Sequence, residues 1–288
     1  MLPSMSRKPV IALVGAGNLA SALAFSLRAA GYQIEAVIGR SNPHSRTSAR
    51  KLAQEVGAHG VTELPSDLKA RVVWFCVPDG EIRKAGEGVE YEIDWSRRVA
   101  LHSSGALTSD ELDVLRRNGA AVASVHPLMT FVRNSRPSLA GVPFAIEGDP
   151  RAVRVARQIV NDLGGRAYPI RKKDKAAYHA WGTFASPLVT ALVATAEEVA
   201  AAAGVPRKDA RMRMLPILRQ TLENYAKFGA PAGFSGPIIR GDIDTVKRHL
   251  DVLHRKPHVR EVYRALALAA LYNLPGKKKA ALRRALKS

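Results

Sequence analysis

Three places in the chain hold side chains suited to proton transfer. His126 precedes Pro127 at the end of the apolar run Ala121–Val125. An imidazole titrates near neutrality, so His126 could hold or protonate a ligand oxygen; the other reading is a satisfied loop histidine, with Pro127 shaping the turn. Ser103 and Ser104 end the run Val99-Ala100-Leu101-His102 and precede Gly105. Their hydroxyls could hydrogen-bond a ligand or simply form the turn. Lys175 and His179 lie four residues apart, which puts both on one face of a helix. An amine and an imidazole side by side suit carbonyl polarisation or proton transfer. The alternative is a surface lysine in the basic run Arg171–Lys175 and an interface histidine. His102, His249, His254 and His258 read as structural or surface residues. No Cys/His spacing suggests a zinc site, and no G-x-S-x-G nucleophile turn occurs.

These residues need elements to position them, and the strongest such signal is at the N-terminus. Val10–Val14 is apolar, followed by Gly15-Ala16-Gly17-Asn18-Leu19-Ala20 and a helix-forming stretch, Ser21–Ala30. Strand, tight turn and helix start in the form G-x-G-x-x-A make a dinucleotide-binding fingerprint. Gly15 permits the turn, Gly17 lets backbone approach a pyrophosphate, and Ala20 lets the helix pack close. Ala16, Asn18 and Leu19 supply backbone at the helix N-terminus, whose free N–H groups favour phosphate. The second strand, Gln33–Gly39, ends in Arg40-Ser41, where NAD sites carry a carboxylate. A guanidinium and a hydroxyl at that place suit a 2′-phosphate, so the cofactor expected is NADP(H). Val72–Val77 reads as a central strand ending in Pro78-Asp79, so Val77 and Pro78 join the expected cofactor site, with Ser103 as a partner for the nicotinamide amide.

Alternating strands and helices continue to Pro169: a helix over Ser45–Val56, strands near Val61 and at Val99–Leu101, and a helix capped by Thr108 or Ser109 and running to Asn118. A strand follows at Ala121–Val125, then a strand–helix–strand unit over Phe144–Pro169. This is the pattern of an α/β, doubly wound, mainly parallel sheet, with ligands at the carboxyl ends of its strands. Gly15, Arg40, Pro78, His102 and His126 all fall at such ends. From Arg171 the strand signals stop, and helices are expected over Asp174–Gly204 (broken at Pro187), Asp209–Phe228, Asp242–Leu253 and Pro257–Tyr272. Gly229–Pro237 reads as a loop. The expected organisation is a Rossmann domain over 1–170 and an all-helical domain for substrate binding or dimerisation over 171–288.

Composition bounds the function. The 288 residues carry a net charge of +19, most of it in the second half: 23 Lys and Arg against 9 Asp and Glu over 171–288, versus 21 against 16 before it. The excess reads as a solvated basic surface that also favours an anionic substrate. No nucleic-acid-binding motif accompanies it, so nucleic acid is not expected as a partner. The single cysteine, Cys76, reads as a buried strand residue and fits a reducing, cytoplasmic setting. Met1–Lys8 lacks the apolar core of a signal peptide. The longest apolar stretch, Phe184–Ala203, holds Pro187, Glu197 and Glu198 and reads as a buried helix rather than a membrane span.

The chain resembles the superfamily of β-hydroxyacid dehydrogenases, prephenate dehydrogenases and pyrroline-5-carboxylate reductases. More closely it resembles a group of Rossmann-like oxidoreductases whose helical C-terminal half is a domain of unknown function. The stretches that carry this are Val14–Asn18, Gly39–Ser41, Val77–Asp79, His102–Gly105, His126–Leu128, Lys175–His179 and Ser235–Asp242. The resemblance implies a catalytic role for His126, in a His-Pro motif, and for Ser103 or Ser104 one strand earlier. It implies Lys175 as the catalytic acid/base lysine of the first interdomain helix; His179 stands where that family has asparagine, a departure that bears on the chemistry. A homodimer through the helical half is expected by analogy. The leading expectation is an NADP-dependent oxidoreductase acting on a small, anionic carbonyl or hydroxy-acid compound, with Arg240 as a carboxylate clamp. The alternative is an NADP-binding sensor or regulatory protein without catalysis.

Overall fold

The computed structural model of the protein describes residues 8–133 and 135–287. The chain divides into two units, Met1–Thr183 and Phe184–Ser288.

The first unit opens with β1 (Ile11–Val14), α1 (Asn18–Ala29), β2 (Ile34–Ile38), α2 (Pro43–Val56), β3 (His59–Val61) and β4 (Val72–Phe75). It continues with α3 (Ile82–Glu87), β5 (Val99–His102), α4 (Asp113–Arg117), β6 (Ala121–Pro127), β7 (Pro143–Gly148), α5 (Pro150–Asp162) and β8 (Arg166–Pro169). The eight strands form one sheet in the order β3-β2-β1-β4-β5-β6-β7-β8. Neighbours run parallel except β6 and β7, which are antiparallel. Both faces are covered, which is why the strands read as unbroken apolar runs. Side chains alternate between two layers. Ile11 and Leu13 face a core with Leu23, Leu27, Leu52 and Ile159. Ala12 and Val14 face another with Ile82, Trp95 and Leu115. The order reverses direction about β1, and the carboxyl ends of β1, β4, β5 and β6 share one edge.

The expected helix after Thr108 begins as a 3-10 turn, Ser109–Leu112, with the Thr108 hydroxyl accepting from the Asp110 N–H. Cys76, just past β4, is buried and free, and burial pushes its thiol well up. The boundary between the units falls later than residue 170. α6 (Lys175–Ala185) starts inside the first unit because Lys175 and Tyr178 are buried there.

The second unit holds α7 (Pro187–Ala202), α8 (Arg207–Gly233), α9 (Pro237–Arg240), α10 (Ile243–Val252), α11 (Pro257–Asn273) and α12 (Lys279–Lys287). Its core is small: Val246, Leu250, Ala267, Leu271, Leu282 and Leu286. Two expectations are corrected here. Within α8 the first helix stops at Gly229, whose φ of 74° no helix continues through, and a second short helical stretch takes up the first part of the expected loop as far as Gly233. Asp242 precedes α10 without forming a side-chain cap.

The apolar stretch from Phe184 is not buried as expected: α7 has no buried residue, and Phe184 is 70% exposed. The expectation assumed that an apolar helix finds full cover within its own chain; α7 packs on α8 and α11, but these bury none of its side chains completely. Among the described residues Lys172–Ala202 is the one segment long and apolar enough to cross a membrane by length and composition, with a mean hydropathy of 1.3. It is not one helix. It breaks at Ser186 into pieces of 11 and 16 residues, each shorter than the roughly 20 a span needs.

Candidate active site

The turn after β1 is built as its glycines require. Gly15 has φ 106°, and a Cβ there would sit 2.5 Å from the Cys76 carbonyl oxygen. Gly17, the residue before α1, has nothing within 4 Å of where its Cβ would be. No side chain caps α1, and its first turn holds no acidic residue. Its leading N–H groups therefore face open space, the arrangement that receives a phosphate. They open on a cleft of about 690 Å³, lined by Gly15, Ala16, Gly17, Arg40, Ser41, Val77 and Pro78 among others. Asn18 and Leu19 are not part of that lining. The Asn18 amide instead donates to the Phe131 carbonyl at 3.2 Å, and Leu19 packs on the core.

At the far end of the cleft, the Arg40 backbone N–H donates to the Ser45 hydroxyl at 2.8 Å. The Arg40 guanidinium lies 3.5 Å from the Glu81 carboxylate. Both side chains are solvent-exposed, so this pair holds Arg40 only weakly. Glu81 was not singled out from sequence: it lies 41 positions after Arg40, and only the sheet order brings them together.

The chemistry-bearing residues gather at the ends of β5 and β6. His126 is half-buried, with Nδ1 2.9 Å from the Tyr178 hydroxyl and its ring edge-on to Tyr178 at 5.4 Å. The His179 ring lies 6.1 Å from it. A Cβ on Gly105 would come within 2.8 Å of His126 Nε2 and 2.7 Å of His179 Cδ2. The two imidazoles thus flank the bare backbone of Gly105. Burial above all, with Lys175 and His179 adding to it, lowers the His126 pKa to about 4. His126 is therefore neutral at pH 7.

Lys175 does not reach this space. It is fully buried, with Nζ donating to the Ser104 carbonyl at 2.9 Å and the Ser124 hydroxyl at 2.6 Å. It ties the ends of β5 and β6 to α6. Burial lowers its pKa to about 8, against the opposing pull of Glu147 and Asp79. Glu147 is itself buried, accepting from the Ser109 N–H and hydroxyl at 2.6 and 2.9 Å. So the spacing of four is realised, but Lys175 faces the interior while His179 stands over Gly105.

Both serine hydroxyls are engaged within the protein. Ser103 is turned into the core, where its hydroxyl accepts from the Trp74 indole at 2.8 Å. Ser104 donates to Asp79 at 2.8 Å and accepts from the Ala106 and Leu107 N–H groups. Its hydroxyl is engaged with Asp79 and the turn. His102 is structural, as expected: Nε2 lies 2.9 Å from the Thr108 carbonyl and Nδ1 accepts from the Ser104 N–H. Arg240 is in the second unit, 3.4 Å from Asp242. Sequence reasoning missed Tyr178, Ser124, Glu147 and Asp79. Tyr178 was the findable one, one position before His179 and three after Lys175.

Comparison with known proteins agrees with this architecture. Residues 5–127 match a Rossmann-like domain, and residues 142–270 match a domain of unknown function, DUF2520. No curated protein matches the sequence. Among solved structures, a candidate NADP oxidoreductase from Bacteroides fragilis is 24% identical, with a TM-score of 0.77 over 91% of this chain and 97% of its own. A protein from Thermotoga maritima is 21% identical, with a TM-score of 0.68 over 96% and 98%. An imine reductase from Myxococcus stipitatus, solved with NADP+, is 17% identical, with a TM-score of 0.64 over 97% and 100%. At these identities the likeness shows a shared fold.

Proposed function

From a chain built of a Rossmann-like domain followed by a DUF2520 domain, we propose an NADP(H)-dependent oxidoreductase acting on a small carbonyl or hydroxy-acid compound. The observation that carries the reading is the uncapped N-terminus of α1 behind Gly15 and Gly17, opening on the same cleft as Arg40 and Ser41. The residues fit the cofactor: helix N–H groups for the pyrophosphate, a guanidinium and hydroxyl for the 2′-phosphate. The cofactor would supply or accept a hydride. The chain's own part is to hold the substrate oxygen at His126, over Gly105, with His179 on the other side. The NADP-bound imine reductase and the candidate NADP oxidoreductase among the structural neighbours support this reading. The basic balance of the chain supports an anionic substrate, and the lone buried thiol supports a reducing, cytoplasmic compartment.

The test is calorimetric titration of wild type and Arg40→Ala with NADPH and NADH. Preference for NADPH that falls at least about tenfold in the variant is expected, the loss of a charge-assisted pair to phosphate. Absence of binding to either nucleotide would overturn the reading. A second reading, an NADP-binding regulator without turnover, is favoured by one observation: the lysine placed for acid/base work is buried and holds the Ser104 carbonyl and the Ser124 hydroxyl. NADPH binding with no oxidation across a panel of aldehydes, ketones, keto acids and imines would select it.

A further inference from the structure

Tyr178 is absent from every role argued so far, yet it is among the best-placed polar groups of the first unit. It is 8% exposed, and its hydroxyl meets His126 Nδ1 at 2.9 Å. Tyr168, from β8, stands ring to ring with it at 6.3 Å. The Tyr168 hydroxyl is buried close by but without a hydrogen-bond partner. We propose that Tyr178 is a positioning residue: its phenol donates to His126 Nδ1, fixes the Nε2–H tautomer, and so presents an N–H donor above Gly105. The ligand this selects is one with an acceptor, a carbonyl oxygen or an imine nitrogen, rather than a hydroxyl that needs a base.

The direction of the Tyr178–His126 bond follows from where the phenol proton can go. A phenol donates one hydrogen bond, and both imidazole tautomers could meet it. If Nδ1 carried the proton and donated to Tyr178, the phenol O–H would need another acceptor. Tyr168 is the oxygen nearby, and were the Tyr178 phenol to donate to it, the buried Tyr168 hydroxyl, which has no other partner, would be left with no acceptor for its own proton. A buried O–H would then be orphaned, which is costly. With the phenol donating to Nδ1, its oxygen is left to accept from the Tyr168 hydroxyl, and Nε2–H faces the gap that Gly105 leaves open. Burial, with a smaller contribution from Tyr168, pushes the Tyr178 phenol up, so it keeps its proton at any working pH. A Gly at 105 is what this geometry requires, since even a methyl there would strike both imidazoles.

The inference rests on the proposed role of His126 at the substrate oxygen, but the tautomer is readable without cofactor or substrate. The experiment is a long-range proton–nitrogen NMR spectrum of the full chain labelled with 15N-histidine, His126 being assigned by the signal lost in His126→Gln. Wild type is expected to show an unprotonated Nδ1 and a protonated Nε2 at His126. In Tyr178→Phe the Nδ1–H tautomer should gain several-fold while the other histidine signals stay in place. A merely structural tyrosine would leave the tautomer unmoved. Nδ1–H at His126 in wild type, or an unchanged tautomer in a folded Tyr178→Phe, overturns the proposal. Should that variant not fold, the wild-type spectrum decides alone. Failure of nucleotide binding in the earlier titration would leave this outcome standing, so the two readings fail separately.

Discussion

Lys175 has a structural part that its residue type alone does not announce. A lysine four residues from a histidine, on the first helix after the sheet, reads as an acid or base at the substrate. In the fold it is a buried strut between the Ser104 carbonyl and the Ser124 hydroxyl. Burial lowers its pKa from 10.5 to about 8, and that has a measurable sign. Between these values the unfolded chain binds more protons than the folded one, so stability rises with pH over that window. The shift is worth roughly 3 kcal/mol at about 1.4 kcal/mol per pH unit. Urea unfolding of wild type from pH 8 to 10 should show about 2 kcal/mol of that gain, and Lys175→Met should lack it. A variant with the wild-type slope would mean that Lys175 titrates normally.

At the scale of elements, the turn between β1 and α1 carries two glycines with different duties. Gly15 is held at a positive φ against the Cys76 carbonyl, whereas Gly17 has ordinary φ and open space. Gly15→Ala should therefore destabilise the fold by more than about 1 kcal/mol as well as abolish nucleotide binding. Gly17→Ala should unfold at the wild-type midpoint and still lose nucleotide affinity, because its methyl meets only an incoming pyrophosphate. Thermal melts read the first effect and calorimetry the second. If both variants melted alike, the division of duties would be wrong. The turn was legible from sequence because a strand end, a glycine pair and a helix start are all local. The Ser103–Trp74 and Tyr178–His126 bonds were not, since each joins elements that only the sheet order brings together.

At the scale of the molecule, the second unit leaves apolar surface that its own six-residue core does not cover. Phe184, Leu188, Leu192, Ile217, Leu222 and Phe228 are each at least 40% exposed. Apolar side chains exposed in this number suit an association site, and a second copy of the chain is the occupant we propose. Sedimentation should give about twice the 31.1 kDa chain mass. Leu188→Glu combined with Leu192→Glu should shift the protein towards monomer. A wild type that sediments as monomer at micromolar concentration would refute the dimer.

What the sequence by itself determined was whatever depends on near neighbours: the order of strands and helices, the dinucleotide turn, Arg40-Ser41 at the end of β2, and the break at Pro187. Periodicity, glycine placement and proline act within a few residues, and the fold could not alter them. What only the tertiary structure decided was which way each polar side chain at the sheet edge faces. Ser103 turns to a core tryptophan, Ser104 closes its own turn, Lys175 is drawn inside, and His126 pairs with a tyrosine from another element. A hydroxyl or amine at a strand end can bond in several directions at similar cost. The choice is made by which buried partners the packed elements leave in need of one.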